Sequence, residues 1–124
     1  MKIYVKQLRT IQKGGKKKVC KSPILFAAME RYLQLAVETV LHVGNHIIAG
    51  MNLRKPSTYE QIMQILSEEK VITKKTLSSA RPIASVRNLL VHDYSEVNRE
   101  KLFDVARKTL PSMEEVARAY RKFL

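Results

Sequence analysis

The chain is poor in the residues that crosslink, stack and punctuate. Its 124 residues include one cysteine and no tryptophan, and the aromatic share is 6%. The lone Cys20 excludes an internal disulfide and a cysteine-rich zinc site. It lies in "KKKVCKS", where neighbouring lysines could lower its pKa, and it reads as an incidental surface thiol of a reducing compartment. Only four glycines and four prolines occur, which argues for a folded body rather than disorder. The N-terminus "MKIYVKQLRTIQKGG" lacks an apolar core of signal-peptide length, so the expected location is cytoplasmic. "GGKKK" has neither the spacing nor the following Ser or Thr of a P-loop, and no His-Glu-x-x-His pattern occurs.

Acid is the other scarce commodity. Eleven Asp and Glu face 23 Lys and Arg, for a formal charge of +12. Residues 1–22 hold eight of the basic residues and no acid, while residues 23–124 carry 15 against 11. A basic arm on a mildly basic body suits a polyanionic partner, nucleic acid or an acidic protein surface. The bland alternative is a solubilising tail.

What is abundant is helix-forming and apolar. Hydrophobic residues make up 45%, and Ala, Leu, Glu, Lys, Arg and Met fill the periodic segments. The length suffices for one core and not for two ordinary domains. Residues 2–12 read as a short helix. In "SPILFAAMERYLQLAVETVLHVGNHIIAG", Ser22 is an N-cap and Pro23 suits the first helical position. Phe26, Met29, Leu33, Ala36, Val40, Val43 and Ile47 then form an unbroken helical stripe. Leu41, Gly44 and Ile48 widen it into a central core element with area left over for a second subunit, Gly44 marking a close backbone approach. Glu30, Arg31, Glu38, His42 and His46 argue against a membrane span.

Ser57 with Glu60 reads as a capping box opening the next helix, whose buried face is Ile62, Met63 and Leu66. Thr73 can cap a helix running through Leu77, Ile83, Val86 and Leu90, kinked at Pro82 or starting there. Asn98 is the expected cap of the last helix. Leu102, Ala106, Thr109, Met113, Val116, Tyr120 and Phe123 hold one phase across Pro111, so that proline bends the helix rather than ending it. The expectation is an all-α, up-and-down four-helix bundle over residues 23–124, with a basic arm over residues 1–22.

Two constellations carry chemistry. In "VRNLLVHDY" (residues 86–94), Arg87 and His92 lie about 140° apart on a regular helix. They converge only if the helix ends near His92 or if a second copy supplies the missing partner. An Arg with a His is what metal-free RNA cleavage needs. The imidazole relays protons near neutral pH and the guanidinium fork stabilises charge on a phosphate. The ribose 2′-hydroxyl is the nucleophile. The competing reading makes His92 and Tyr94 hydrogen-bonded groups at a helix end. The second constellation is Glu38, His42 and His46, spaced by four along one helix. They read as polar residues lining a groove or interface rather than as a metal site, since ligands from one helix do not complete a coordination shell. No metal or other cofactor is expected.

"VRNLLVHDY" resembles the Arg-Asn-x-x-x-His-x-Tyr signature of HepT-like proteins, a branch of the HEPN superfamily. "AVETVLHVGNHIIAG" resembles that family's first long core helix, and "RKPSTYEQIMQILSEEKVI" its next connection and helix. The resemblance covers residues 23–124. It implies a helical bundle that dimerises around the motif and a metal-independent ribonuclease toxin. The implied antitoxin is a small nucleotidyltransferase that adenylylates the motif tyrosine. Carried over by position, Arg87 binds the scissile phosphate, His92 is the general acid/base, Asn88 orients His92 or the substrate, and Tyr94 is modified. The chain departs from the family in having His42 where an acidic residue is frequent, and in its lysine-rich N-terminus. The alternatives are a non-catalytic module that docks a nucleotidyltransferase and presents nucleotide or substrate, and a basic DNA-binding bundle, although no helix-turn-helix signature occurs.

Overall fold

The stripe that begins at Phe26 forms the axis of the molecule. In the computed structural model, which describes residues 2–90 and 96–123, helix α3 (Pro23–Gly50) touches every other helix. Those are α1 (Lys2–Gln12), α2 (Lys16–Lys21), α4 (Tyr59–Glu68), α5 (Lys74–Leu89) and α6 (Glu96–Arg121), and no strand occurs among the described residues. Met29, Leu33, Ala36, Val37 and Val40 are completely buried. Each large apolar side chain so buried contributes about 1.5–3 kcal/mol relative to exposure. As expected, the Ser22 hydroxyl caps α3 by accepting from the Leu25 N–H at 3.2 Å, with Pro23 at the helix start. None of the helices, over the described residues, is long and apolar enough to cross a membrane.

The lysine-rich segment expected as an arm contributes two helices to the bundle. Val5, Leu8, Val19 and Cys20 join the core cluster. Helix α1 runs antiparallel to α6. The Gln12 side-chain N–H donates to Phe103 O at 3.3 Å, and Arg9 pairs with Glu114 further along α6. Cys20 is therefore not a surface thiol: it is buried, and burial pushes its pKa up rather than letting the neighbouring lysines lower it. The apolar phase of "VKQL" and "VC" was short enough to be masked by lysines in the sequence, but those lysines simply occupy the outer side of each helix.

Three further expectations change in detail. Helix α4 is capped by Thr58, whose hydroxyl accepts from the Gln61 N–H at 3.2 Å, while the Ser57 N–H donates to the Gln61 side-chain oxygen at 2.7 Å. The Ser57–Glu60 box is thus replaced by a Thr58–Gln61 arrangement one residue later. Gln at the third helical position can reach back as well as Glu can. We expect Thr58→Ala to cost about 1 kcal/mol and Ser57→Ala to stay within about 0.5 kcal/mol, read as shifts in urea midpoint. Helix α6 starts at Glu96, so Asn98 lies inside its first turn and is not its cap. An acid in that turn suits the positive end of the helix dipole. Phe123 follows the end of α6 and is exposed.

Both internal prolines are carried within helices. Helix α5 begins at Lys74, where the Thr73 hydroxyl accepts from the Thr76 N–H at 3.0 Å, and it continues through Pro82. Helix α6 continues through Pro111. Pro111 is exposed, so the carbonyl it leaves without a helical donor can be satisfied by water.

Gly44 is used within the chain. A methyl group built on it would meet the Tyr120 hydroxyl at 2.5 Å, Ile62 Cγ2 at 3.0 Å and Leu66 Cδ1 at 3.1 Å. The close approach anticipated for a second subunit is thus filled by α6 and α4. The Tyr120 hydroxyl donates to Val40 O at 3.0 Å, and burial raises its pKa well above the ordinary tyrosine value.

Candidate functional site

The motif lies where α5 ends. Arg87 and Asn88 occupy the last turn of α5, which closes with the Leu90 N–H donating to Val86 O at 3.1 Å. The helix carrying Arg87 ends at Leu89, before His92 in sequence, so the separation expected of the pair concerns a position outside the described residues. His92 and Tyr94 lie outside the described residues, as do the side chains of Arg87 and Asn88.

What holds α5 in the bundle is clear from its packing. Ala80, Ile83 and Val86 are completely buried. On the outer flank the Ser112 hydroxyl donates to Ser79 O at 2.8 Å, and the Thr76 hydroxyl donates to the Glu115 carboxylate at 3.3 Å. Both bonds tie α5 to α6. A rigid helix that delivers an arginine at its final turn is a suitable platform for a site whose geometry must hold within a fraction of an ångström.

The start of α6 brings a cation that sequence reasoning missed. Arg99, one turn into α6, stacks over the Phe26 ring at 5.3 Å and donates from Nη1 to Cys20 O at 3.4 Å. Its Nε is buried without a hydrogen-bond partner. The one available signal was a basic residue in the first turn of a helix, where the dipole disfavours it. Stacking on Phe26 compensates for that placement. Arg99 thus locks α2 and the start of α3 against the first turns of α6.

Glu38 is half-buried and accepts from the Gln34 side-chain N–H at 3.4 Å, whereas His42 and His46 are exposed along α3. Among the described residues no group of three or more His, Cys, Asp or Glu is placed to hold a metal ion.

The described helices form an all-α bundle whose fifth helix carries Arg87 and Asn88 in its last turn, with His92 and Tyr94 following in sequence. Residues 1–120 match the family model described as Ribonuclease HepT-like, and the chain belongs to that family. It is 29% identical over 97 residues to YutE of Bacillus subtilis, a provisionally assigned RNase, across 78% of this chain and 67% of that protein. It is 26% identical over 83 residues to the mRNA nuclease HepT of Shewanella oneidensis, across 67% of this chain and 62% of that one. The chain thus spans only about two thirds of the length of these relatives. In fold it is similar to a chain from the structure of the tri-AMPylated Shewanella oneidensis HEPN toxin in complex with MNT antitoxin. The TM-score there is 0.83 at 21% identity, covering 98% of this chain and 90% of that chain.

Proposed function

We propose that this chain is a metal-independent RNA endonuclease, the toxin of a toxin–antitoxin pair. The observation that carries the reading is family membership over residues 1–120 combined with an intact Arg87, His92 and Tyr94. The relative named as an mRNA nuclease and the toxin–antitoxin complex of matching fold support it.

In this mechanism the ribose 2′-hydroxyl attacks the adjacent phosphorus. His92 accepts the 2′ proton, the P–O2′ bond forms and the P–O5′ bond breaks. The leaving 5′ oxygen takes up a proton, so the products are a 2′,3′-cyclic phosphate and a 5′-hydroxyl. Arg87 holds a non-bridging phosphate oxygen and stabilises the charge that grows on it. Asn88 orients His92 or the substrate. Two copies of the chain bring their motifs together, so each α5 end is half of a site. Glu38, His42 and His46 line the groove beside it.

Control comes from a nucleotidyltransferase that moves an adenylyl group onto Tyr94. The phenol oxygen attacks the α-phosphorus of ATP and pyrophosphate departs. The added phosphate repels RNA and its nucleoside blocks the groove. The test uses purified chain and single-stranded RNA in EDTA. Cleavage to cyclic-phosphate ends is expected, and it should disappear after treatment with the partner enzyme and ATP unless Tyr94 is replaced by Phe. Absence of cleavage with every RNA tried, despite a stable complex with the partner, would sink the nuclease reading.

A further inference from the structure

We propose that the outer face of α2 is a phosphate-binding surface for the RNA strand that enters the motif site, with Lys17, Lys18 and Lys21 as its contacts. This rests on the ribonuclease reading and adds how substrate is held.

Helix α2 has two unlike sides. Val19 and Cys20 are in the core, and Lys16 is bound to Asp104 of α6 at 2.9 Å. At about 100° per residue these three cluster on one side, and Lys17, Lys18 and Lys21 cluster roughly opposite. The three lysines are exposed and, with Ser22, line an open depression of about 500 Å³. Among the described residues no carboxylate lines it. Among the described residues Arg9 pairs with Glu114, Arg54 with Glu68, and Lys16 and Arg107 with Asp104. These three lysines have no such partner among the described residues. Like charges fixed within one or two helical turns repel. A polyanion relieves that repulsion, and its binding gains from released counterions.

Position selects which polyanion. The Cys20 carbonyl accepts from Arg99, so the end of α2 is tied to the first turn of α6. Arg99 follows Tyr94 by five residues, a stretch that spans at most about 18 Å. The end of the lysine-bearing helix is thereby held against the turn of α6 that follows His92 and Tyr94 in sequence. Lysine ammonium groups meet phosphate as point charges and do not read bases, so the contact is with the RNA backbone.

The test compares two charge-matched triple variants of the whole chain. One is Lys17→Gln, Lys18→Gln, Lys21→Gln. The other, Lys6→Gln, Arg118→Gln, Arg121→Gln, removes three exposed cations from the groove between α1 and the end of α6. That groove is about 30 Å along α6 from its start. The ligand is a single-stranded 2′-O-methyl oligonucleotide, which lacks the nucleophile and cannot be cut. The α2 variant should lose about tenfold or more in affinity at low salt, with the log–log salt slope shallower by about 2. The distal variant should change far less, and Lys→Arg at the three α2 positions should keep binding. Equal losses in both triple variants would reduce the effect to net charge and overturn the proposal. So would an unchanged slope for the α2 variant, or lost binding of the nucleotidyltransferase with RNA affinity intact. Because nothing is cleaved in this assay, a chain that binds RNA through α2 yet never cuts it would sink the nuclease reading alone.

Discussion

Arg87→Ala and His92→Ala should each lower RNA cleavage by at least about a hundredfold while leaving the helical circular dichroism signal in place. The two losses have different origins. Without His92 the motif loses its imidazole, the group suited to take up the 2′ proton near neutral pH. Without Arg87 the charge gathering on the phosphate loses its fixed counter-charge. Helix α5 ends at Leu89, between the two positions, so the decisive question is whether one chain or two complete the site. Mixing the two inactive variants answers it. If each site joins Arg87 of one copy to His92 of the other, a mixed dimer regains one intact site. Random pairing then restores about a quarter of wild-type activity. No recovery would mean that Arg87 and His92 of the same chain act together. Cleavage that survived both single substitutions would remove these residues from the mechanism.

The second large effect concerns stability. Gly44→Ala should destabilise the protein by about 1–3 kcal/mol, although glycine to alanine inside a helix ordinarily stabilises by about 1 kcal/mol. The reversal follows from contacts. The new methyl would stand 2.5 Å from the Tyr120 hydroxyl, which is itself held by Val40 O, with Ile62 and Leu66 close on its other flanks. Tyr120 is 3% exposed, and its hydroxyl also lies 3.9 Å from the Met63 sulfur. Tyr120→Phe removes the obstructing oxygen at a cost of about 1 kcal/mol. The double variant should therefore be more stable than the sum of the singles implies, a coupling that a double-mutant cycle in urea measures. Gly50→Ala is the control. Its methyl meets nothing within 4 Å, so that change should be neutral or mildly stabilising. Additive losses at Gly44 and Tyr120 would contradict the steric account.

How much of this was legible in the sequence varies from element to element. The axis helix was plain, because an apolar stripe of helical period behind Ser-Pro admits few other solutions, and Ser22 does cap it. The phase of α6 across Pro111 was equally plain, since residues from Leu102 to Tyr120 keep facing one way and are buried. The Thr58 cap was ambiguous, because Ser57 and Thr58 each have an acid or amide three residues on. Only the extended backbone at Thr58 selects between them. The candidate site was legible as residue types in order, Arg87, Asn88, His92 and Tyr94, and as a family pattern. Its supports were not, for the bonds from α5 to Ser112 and Glu115 join residues 33 and 39 positions apart.

By itself the sequence determined the helical class, the central helix, the family and the identity of the motif residues. Each of these is carried by local spacing or by short ordered patterns, which survive without knowledge of neighbours. Tertiary structure decided what those patterns face. It turned a lysine-rich arm into two packed helices with one cationic face, buried a cysteine that read as exposed, and gave Gly44 to Tyr120 rather than to a second subunit. It also ended α5 just past Arg87 and set Arg99 over Phe26. These outcomes depend on which distant surfaces exclude water together, and no run of neighbouring residues encodes that.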